Sequence, residues 1–211
     1  MPMESRLAMP VLGVNTEASM SDPLRKRISQ AAQELFLEGG LEGVSMRKVA
    51  KMAGVSAPAI YRHYENKDDL LREIIDEGLQ ILETFLAPAL NESTPLERLN
   101  VLADRFLDFA IEQPKYFEFA FMIPSRSISD VRTELAEKNW VTFNMALEQI
   151  GECMETGVFK KDDPLGTAIT IWAGVYGLVA LHRMHRFGPD DQIFRQIYRS
   201  SVDRMLNGLK P

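Results

Sequence analysis

Residues 49–67 read VAKMAGVSAPAIYRHYENK. Lys51, Arg62 and Lys67 supply positive charge, Tyr61 and His63 add hydrogen-bonding tips on flat rings, and Arg47 and Lys48 stand just before them. Side chains of these types, together with amides at helix starts, satisfy the phosphate oxygens of a duplex backbone. The chain as a whole nevertheless carries a formal net charge of -6. Position resolves the contrast. Residues 21–67 hold eight Lys/Arg against five Asp/Glu, net +3, whereas residues 68–211 hold fifteen against twenty-three, net -8. The cations belong to a module of their own, and the acidity belongs to the remainder.

Three helices are needed to present those side chains. Leu24, Ile28, Ala31, Ala32, Leu35 and Phe36 recur at helical spacing, and Gly39-Gly40 marks the expected end of a first helix. Ser45 opens a second helix carrying Val49, Ala50 and Ala53. Gly54 breaks it, because a tight turn needs a residue that tolerates positive φ. Ser56 is the expected cap of a third helix with Pro58 in its first turn, bearing Tyr61, Arg62 and His63 outward and Ile60 and Tyr64 inward. Two short helices joined through a glycine turn and braced by a longer one form a helix-turn-helix.

The run from Arg25 to Leu71 resembles the DNA-binding domain of TetR-family transcriptional regulators. The resemblance rests on the AA-x2-LF pair of the first helix, the AGVS turn, the Y-x-H-Y segment and the following NK-x2-LL. It implies that Ser45, Tyr61, His63 and Lys67 contact phosphates, and that Arg47 occupies a second-helix position able to reach a base edge. Ala57, Pro58 and Ala59, together with the turn residue Ser56, complete the expected DNA-facing surface. Those three residues can touch a thymine methyl but cannot read guanine, so polar base readout falls on Arg47, with Arg62 as a second candidate.

The rest of the chain has helical periodicity as well, which makes the expected fold class all-α with about nine helices. The division expected is a flexible arm over residues 1–20, a DNA-binding domain over 21–67, and a ligand-binding and dimerisation domain over 68–211. A fourth helix from about Asp68 to Leu86 is the natural connector. Thr94-Pro95-Leu96-Glu97 is a capping box that opens the next helix. A long helix is expected over about 130–155. Aromatic residues are numerous, and Phe106, Phe109, Phe117, Phe121, Trp140, Phe143, Trp172 and Tyr176 are candidates for a small-molecule pocket, with plain core as the alternative for each.

Trp172, Tyr176 and Gly177 in WAGVYGL are similar to the tryptophan and histidine-glycine signature of one branch of TetR ligand-binding domains, with tyrosine in place of the histidine. Ala173, Gly177 and Ala180 recur at helical spacing as a smooth stripe, and Phe194, Tyr198, Val202 and Met205 follow on the last helix. The resemblance implies that these two helices pair with their copies in a four-helix homodimer interface; packing within one chain is the alternative.

Other classes of function lack their residues. The sequence has no glycine-rich phosphate loop, no G-x-S-x-G elbow and no H-E-x-x-H, so no enzyme and no cofactor is expected. His182 and His185 have no Cys or carboxylate partner at a metal-ligand spacing, so no metal is expected. The uncharged stretch Pro164–Leu181 lies at the short limit of the roughly 17–25 residues of a membrane span, and a helix buried on most sides explains it better. With a single cysteine, Cys153, and no secretory pattern in the first twenty residues, the expected location is the cytoplasm. Together with these features, the resemblance implies a repressor that binds a palindromic operator as a homodimer and is released by a small, largely apolar ligand. The alternative is a DNA-binding protein whose second domain serves only dimerisation or protein contacts.

Overall fold

The computed structural model describes residues 23–122 and 141–211, and every regular element among them is helical. The expected N-terminal arm, the first part of the helix expected over 130–155, and Trp140 lie outside the described residues. The contacts divide the chain into one unit that ends at Ile74 and another spanning Ile75–Pro211.

In the first unit, α1 (Pro23–Gly43) buries Ile28, Ala31, Ala32 and Phe36 along one stripe. Gly40 breaks its path at φ 61°, where glycine carries no side-chain penalty, and one further turn follows instead of the expected stop. Helix α2 (Met46–Ala53) starts at Ser45, whose hydroxyl accepts from the Lys48 amide at 3.3 Å. It ends at Gly54 in the left-handed conformation (φ 65°), and the Val55 amide returns to the Ala50 carbonyl at 3.0 Å. Helix α3 is only Ala57–Ile60. Tyr61, Arg62 and His63 therefore follow the helix in a turn, although amide bonds from Tyr61 through Tyr64 to carbonyls three or four residues back continue its path.

Tyr64 is buried below this turn and donates its hydroxyl to Glu73 at 2.6 Å, on α4 (Lys67–Leu86). Arg25 reaches the same carboxylate at 3.3 Å and lies 5.1 Å from the centroid of the tyrosine ring. Burial, reinforced by the bond to Glu73, holds the Tyr64 phenol protonated well above its ordinary range. Arg27 closes the other side by donating to the Ala53 carbonyl at 2.8 Å. The helix-turn-helix is thus bolted to its supporting helix by polar contacts at the rim of its apolar core.

In the second unit a 3-10 turn over Ala87–Asn91 leads into α5 (Pro95–Glu112). Thr94 and Glu97 form the reciprocal capping box, with the Glu97 amide 3.2 Å from the Thr94 hydroxyl and the Thr94 amide 3.0 Å from the Glu97 carboxylate. Helix α6 (Pro114–Phe117) passes into a π-turn over Glu118–Met122. Helices α7 (Val141–Glu155), α8 (Pro164–Arg183) and α9 (Asp191–Gly208) complete the unit. Helix α5 packs on α7, α8 and α9, and α8 packs on α7 and α9. Arg199 clamps α9 to α5 through two bonds to Asp104 at 2.9 and 3.1 Å, and Tyr198 donates to the Ala103 carbonyl at 2.8 Å.

Helix α8 departs from expectation. Only 17% of its apolar window is buried, and the buried residues are Thr167, Ala168, Val175, Val179 and His182. Among the described residues it is therefore not a helix covered on most sides. It leaves an apolar face open.

Candidate nucleic-acid interface and interior cavity

The sequence-predicted contact residues fall on α2, on α3 and in the turn after it. Arg47, Lys48 and Lys51 are exposed on α2, and Ser56, Ala57, Pro58, Tyr61 and Arg62 are exposed around α3. Ala59 and His63 are half-buried. Three local details come from the coordinates alone. Ser56 occupies the cap position of α3 but makes no side-chain capping bond, so its hydroxyl is not consumed there, whereas that of Ser45 is engaged at the start of α2. Lys48 donates from Nζ to the Gly43 carbonyl at 3.2 Å. Lys67, half-buried, donates from Nζ to the Leu41 carbonyl at 3.1 Å, so this ammonium also ties the start of α4 to the end of α1.

The second unit has a partly open cavity of about 80 Å³ where α5, α7, α8 and α9 converge. Phe106, Phe121, Phe143 and Trp172 line it, four of the eight aromatic candidates. Phe109 and Phe117 are not part of its wall. Both are fully buried, Phe109 edge-on to Phe85 and Phe117 against Phe106 and Phe121, so they are core. Tyr176 also stands behind the wall, stacked on Trp172 at 5.5 Å, with its hydroxyl donating to the Phe121 carbonyl at 2.7 Å. It thereby fixes the π-turn that carries Phe121. The aliphatic lining was not singled out from the sequence: Leu86 at the end of α4, Leu99 and Leu102 on α5, Ile150 on α7, Ile171 and Val175 on α8, and Leu206 on α9. Apolar residues at helical spacing read as core, and nothing in their types marks a void.

The interface candidates separate into two groups. Ala173 is exposed, Gly177 and Ala180 are half-buried, and a Cβ at Gly177 would have no neighbour within 4 Å, so this stripe is open. Phe194, Tyr198 and Val202 are corrected: they are buried against their own chain, and Val202 lines the cavity. Met205 is also turned inward, its sulfur packed where Gly174 lacks a Cβ. The exposed apolar residues here are instead Ile169 and Leu181 on α8, Met184 just past its end, and Ile193 and Ile197 on α9, between 37% and 55% exposed. On α9 they sit one residue before Phe194 and Tyr198, on the adjacent stripe.

His182 is buried, stacked on Phe194 at 3.9 Å, and paired through Nε2 with Asp191 at 2.7 Å. Among the described residues there is no cluster of three metal-ligating side chains.

Comparison with known proteins follows the same division. The family model for bacterial regulatory proteins of the tetR family matches residues 28–74, and the model for the tetracyclin repressor-like C-terminal domain matches residues 99–207. The uncharacterized HTH-type transcriptional regulator YobS of Bacillus subtilis is 25% identical over 185 residues, covering 88% of this chain and 92% of that protein. Among solved structures, the TetR-family regulator PfmR of Thermus thermophilus aligns with TM-score 0.63 at 23% identity, over 88% of this chain and 100% of that one. FadR of Bacillus subtilis, solved with stearoyl-CoA, aligns with TM-score 0.68 at 19% identity, over 87% and 98%. Identity at this level shows a shared fold.

Proposed function

The chain belongs to the TetR family of transcriptional regulators, and from that premise we propose that it is a cytoplasmic repressor that binds a palindromic operator as a homodimer and is released by a small apolar molecule. The observation that carries the effector half is the interior cavity, to whose wall α4 contributes Leu86. Helix α4 is one continuous element that starts at Lys67 and ends at that wall. A ligand that binds better when Leu86 and Phe121 are displaced favours a different position of α4. Equal affinity for both positions would shift nothing.

Dimerisation is supported by the open stripe of α8 and the exposed Ile193 and Ile197 of α9, an apolar surface suited to its own symmetric copy. Two recognition helices must then stand about 34–36 Å apart to enter successive major grooves. Arg47 reads a base edge, Ser45, Tyr61, His63 and Lys67 hold phosphates, and the small residues Ala57–Ala59 lie against thymine methyls. Selecting bound duplexes from a random pool tests this reading. Two inverted half-sites one helical turn apart are expected, and a single asymmetric site would contradict it.

A further inference from the structure

Tyr61 and His63 lie beyond the regular part of α3, which ends at Ile60, in a turn that its own backbone holds loosely at the start. The amides of Tyr61 and Arg62 reach the carbonyls of Ala57 and Ala59 only at 3.5 and 3.4 Å. Firm contacts begin at the far end. The His63 and Tyr64 amides share the Ile60 carbonyl at 2.9 and 3.0 Å. Two carboxylates one helical turn apart on α4 then grip consecutive residues: Glu73 accepts the Tyr64 hydroxyl at 2.6 Å, and Asp69 accepts the Glu65 amide at 3.2 Å. The same Glu73 oxygen accepts from Arg25 of α1 at 3.3 Å, and the Arg25 guanidinium stands 5.1 Å from the centroid of the Tyr64 ring. One carboxylate thus sets the buried Tyr64 side chain against both α1 and α4.

Resting on the reading of Tyr61 and His63 as phosphate contacts, we propose that Glu73 is a positioning residue for DNA binding: through Tyr64 it holds the turn that presents those two side chains to the duplex. Tyr64 adjoins His63 directly and is tied to the end of α3 through the shared Ile60 carbonyl, so fixing its ring fixes both. A turn ordered before binding need not be ordered by it, which strengthens association. The sign of the effect separates this role from plain electrostatics. A carboxylate on a DNA-binding module repels phosphates, so its removal tightens binding by charge alone. Loss of positioning weakens it.

The test measures affinity of the full chain, by fluorescence anisotropy, for a duplex recovered by selection and for an unrelated duplex of equal length, with each variant scaled to its folded fraction from urea denaturation. Glu73→Ala and Tyr64→Phe are each expected to weaken both duplexes about fivefold. Glu73→Gln, which still offers an oxygen to the Tyr64 hydroxyl, is expected to stay within about twofold of wild type. In a chain that already carries Tyr61→Ala and His63→Ala, Tyr64→Phe should change affinity by less than about twofold, because the side chains it positions are gone. Unchanged binding in Glu73→Ala and Tyr64→Phe, tighter binding in Glu73→Ala, or an equal loss from Tyr64→Phe in both backgrounds overturns the inference and leaves the phosphate reading standing. If Glu73→Ala does not fold, Tyr64→Phe, which keeps the buried ring, decides the matter. If Tyr61→Ala with His63→Ala binds both duplexes as wild type does, the phosphate reading falls, and this inference with it.

Discussion

The hydroxyl of Tyr116 donates to Glu77 at 2.8 Å, and the same ring lies against Gly78, where a Cβ would come within 2.9 Å of Cδ1. Helix α6 therefore grips the second half of α4 by one hydrogen bond and one close approach that only glycine permits. The π-turn that follows α6 brings Phe121 to the cavity. Displacement of Phe121 by a ligand has a short path to α4 through Tyr116. Gly78→Glu is expected to push this ring away and to change the factor by which ligand lowers operator affinity, while the helix-turn-helix stays folded. The same factor in mutant and wild type would place the coupling elsewhere, for example in the dimer interface.

Removing the hydrogen bond alone should have a smaller effect. Tyr116→Phe is expected to lower unfolding free energy by about 0.5–1.5 kcal/mol, the net worth of one such bond. Urea denaturation measures it, and no change would mean that water replaces the carboxylate at no cost.

Arg47→Ala is expected to cost about 1–3 kcal/mol on the selected operator and to relax selectivity at one position in each half-site. Equal loss on every duplex would make Arg47 a phosphate contact. Tyr61→Ala is expected to weaken specific and unrelated duplexes alike. For Lys67→Ala the salt slope should fall by about one unit, with some loss of stability as well, because this ammonium also holds the Leu41 carbonyl. Lost stability with an unchanged slope would leave Lys67 a structural residue only.

Cys153 is fully buried, and burial, with the Glu152 carboxylate adding to it, pushes its thiol up to about 11. The folded protein should react with a thiol reagent at pH 8 only as fast as it opens. A raised value also means that the folded state holds this proton more tightly than the unfolded one. Its contribution to stability is complete below pH 9 and is lost as pH rises towards 11. Labelling at the rate of a free thiol would show that the site is open in solution.

The exposed and the buried apolar residues of α8 and α9 make opposite predictions. Ile193→Glu or Leu181→Glu is expected to give folded monomers by sedimentation and to weaken operator binding. Phe194→Ala should instead destabilise the chain by about 3–5 kcal/mol, as truncation of a buried ring does. A dimer that survives both charged variants would remove these helices from the interface.

The helix-turn-helix was legible in the sequence because its signals are local: a serine that caps α2, a glycine that ends it, and a stripe of six apolar residues on α1, four of which are buried. The length of α3 was not, since the amides after Ile60 still bond to carbonyls three or four residues back and nothing in the residue types marks where the regular helix stops. In the second unit, a period of 3.6 residues identifies which positions share a face, but not what that face meets. Phe194 and Ile193 lie on neighbouring stripes, both apolar, and packing alone sends one inward and leaves the other exposed. Likewise Phe106 lines a void and Phe109, one turn along α5, fills the core. A cavity is a property of facing helices, and no single helix encodes it.

Operator affinity in the presence and absence of a bound cavity ligand tests the proposed regulation most directly. With the selected palindrome labelled for fluorescence anisotropy and the cavity saturated, as monitored by thermal stabilisation, dissociation constants should rise by about 5- to 150-fold, a coupling of about 1–3 kcal/mol. An operator affinity unchanged by a ligand shown to occupy the cavity would contradict release by an effector.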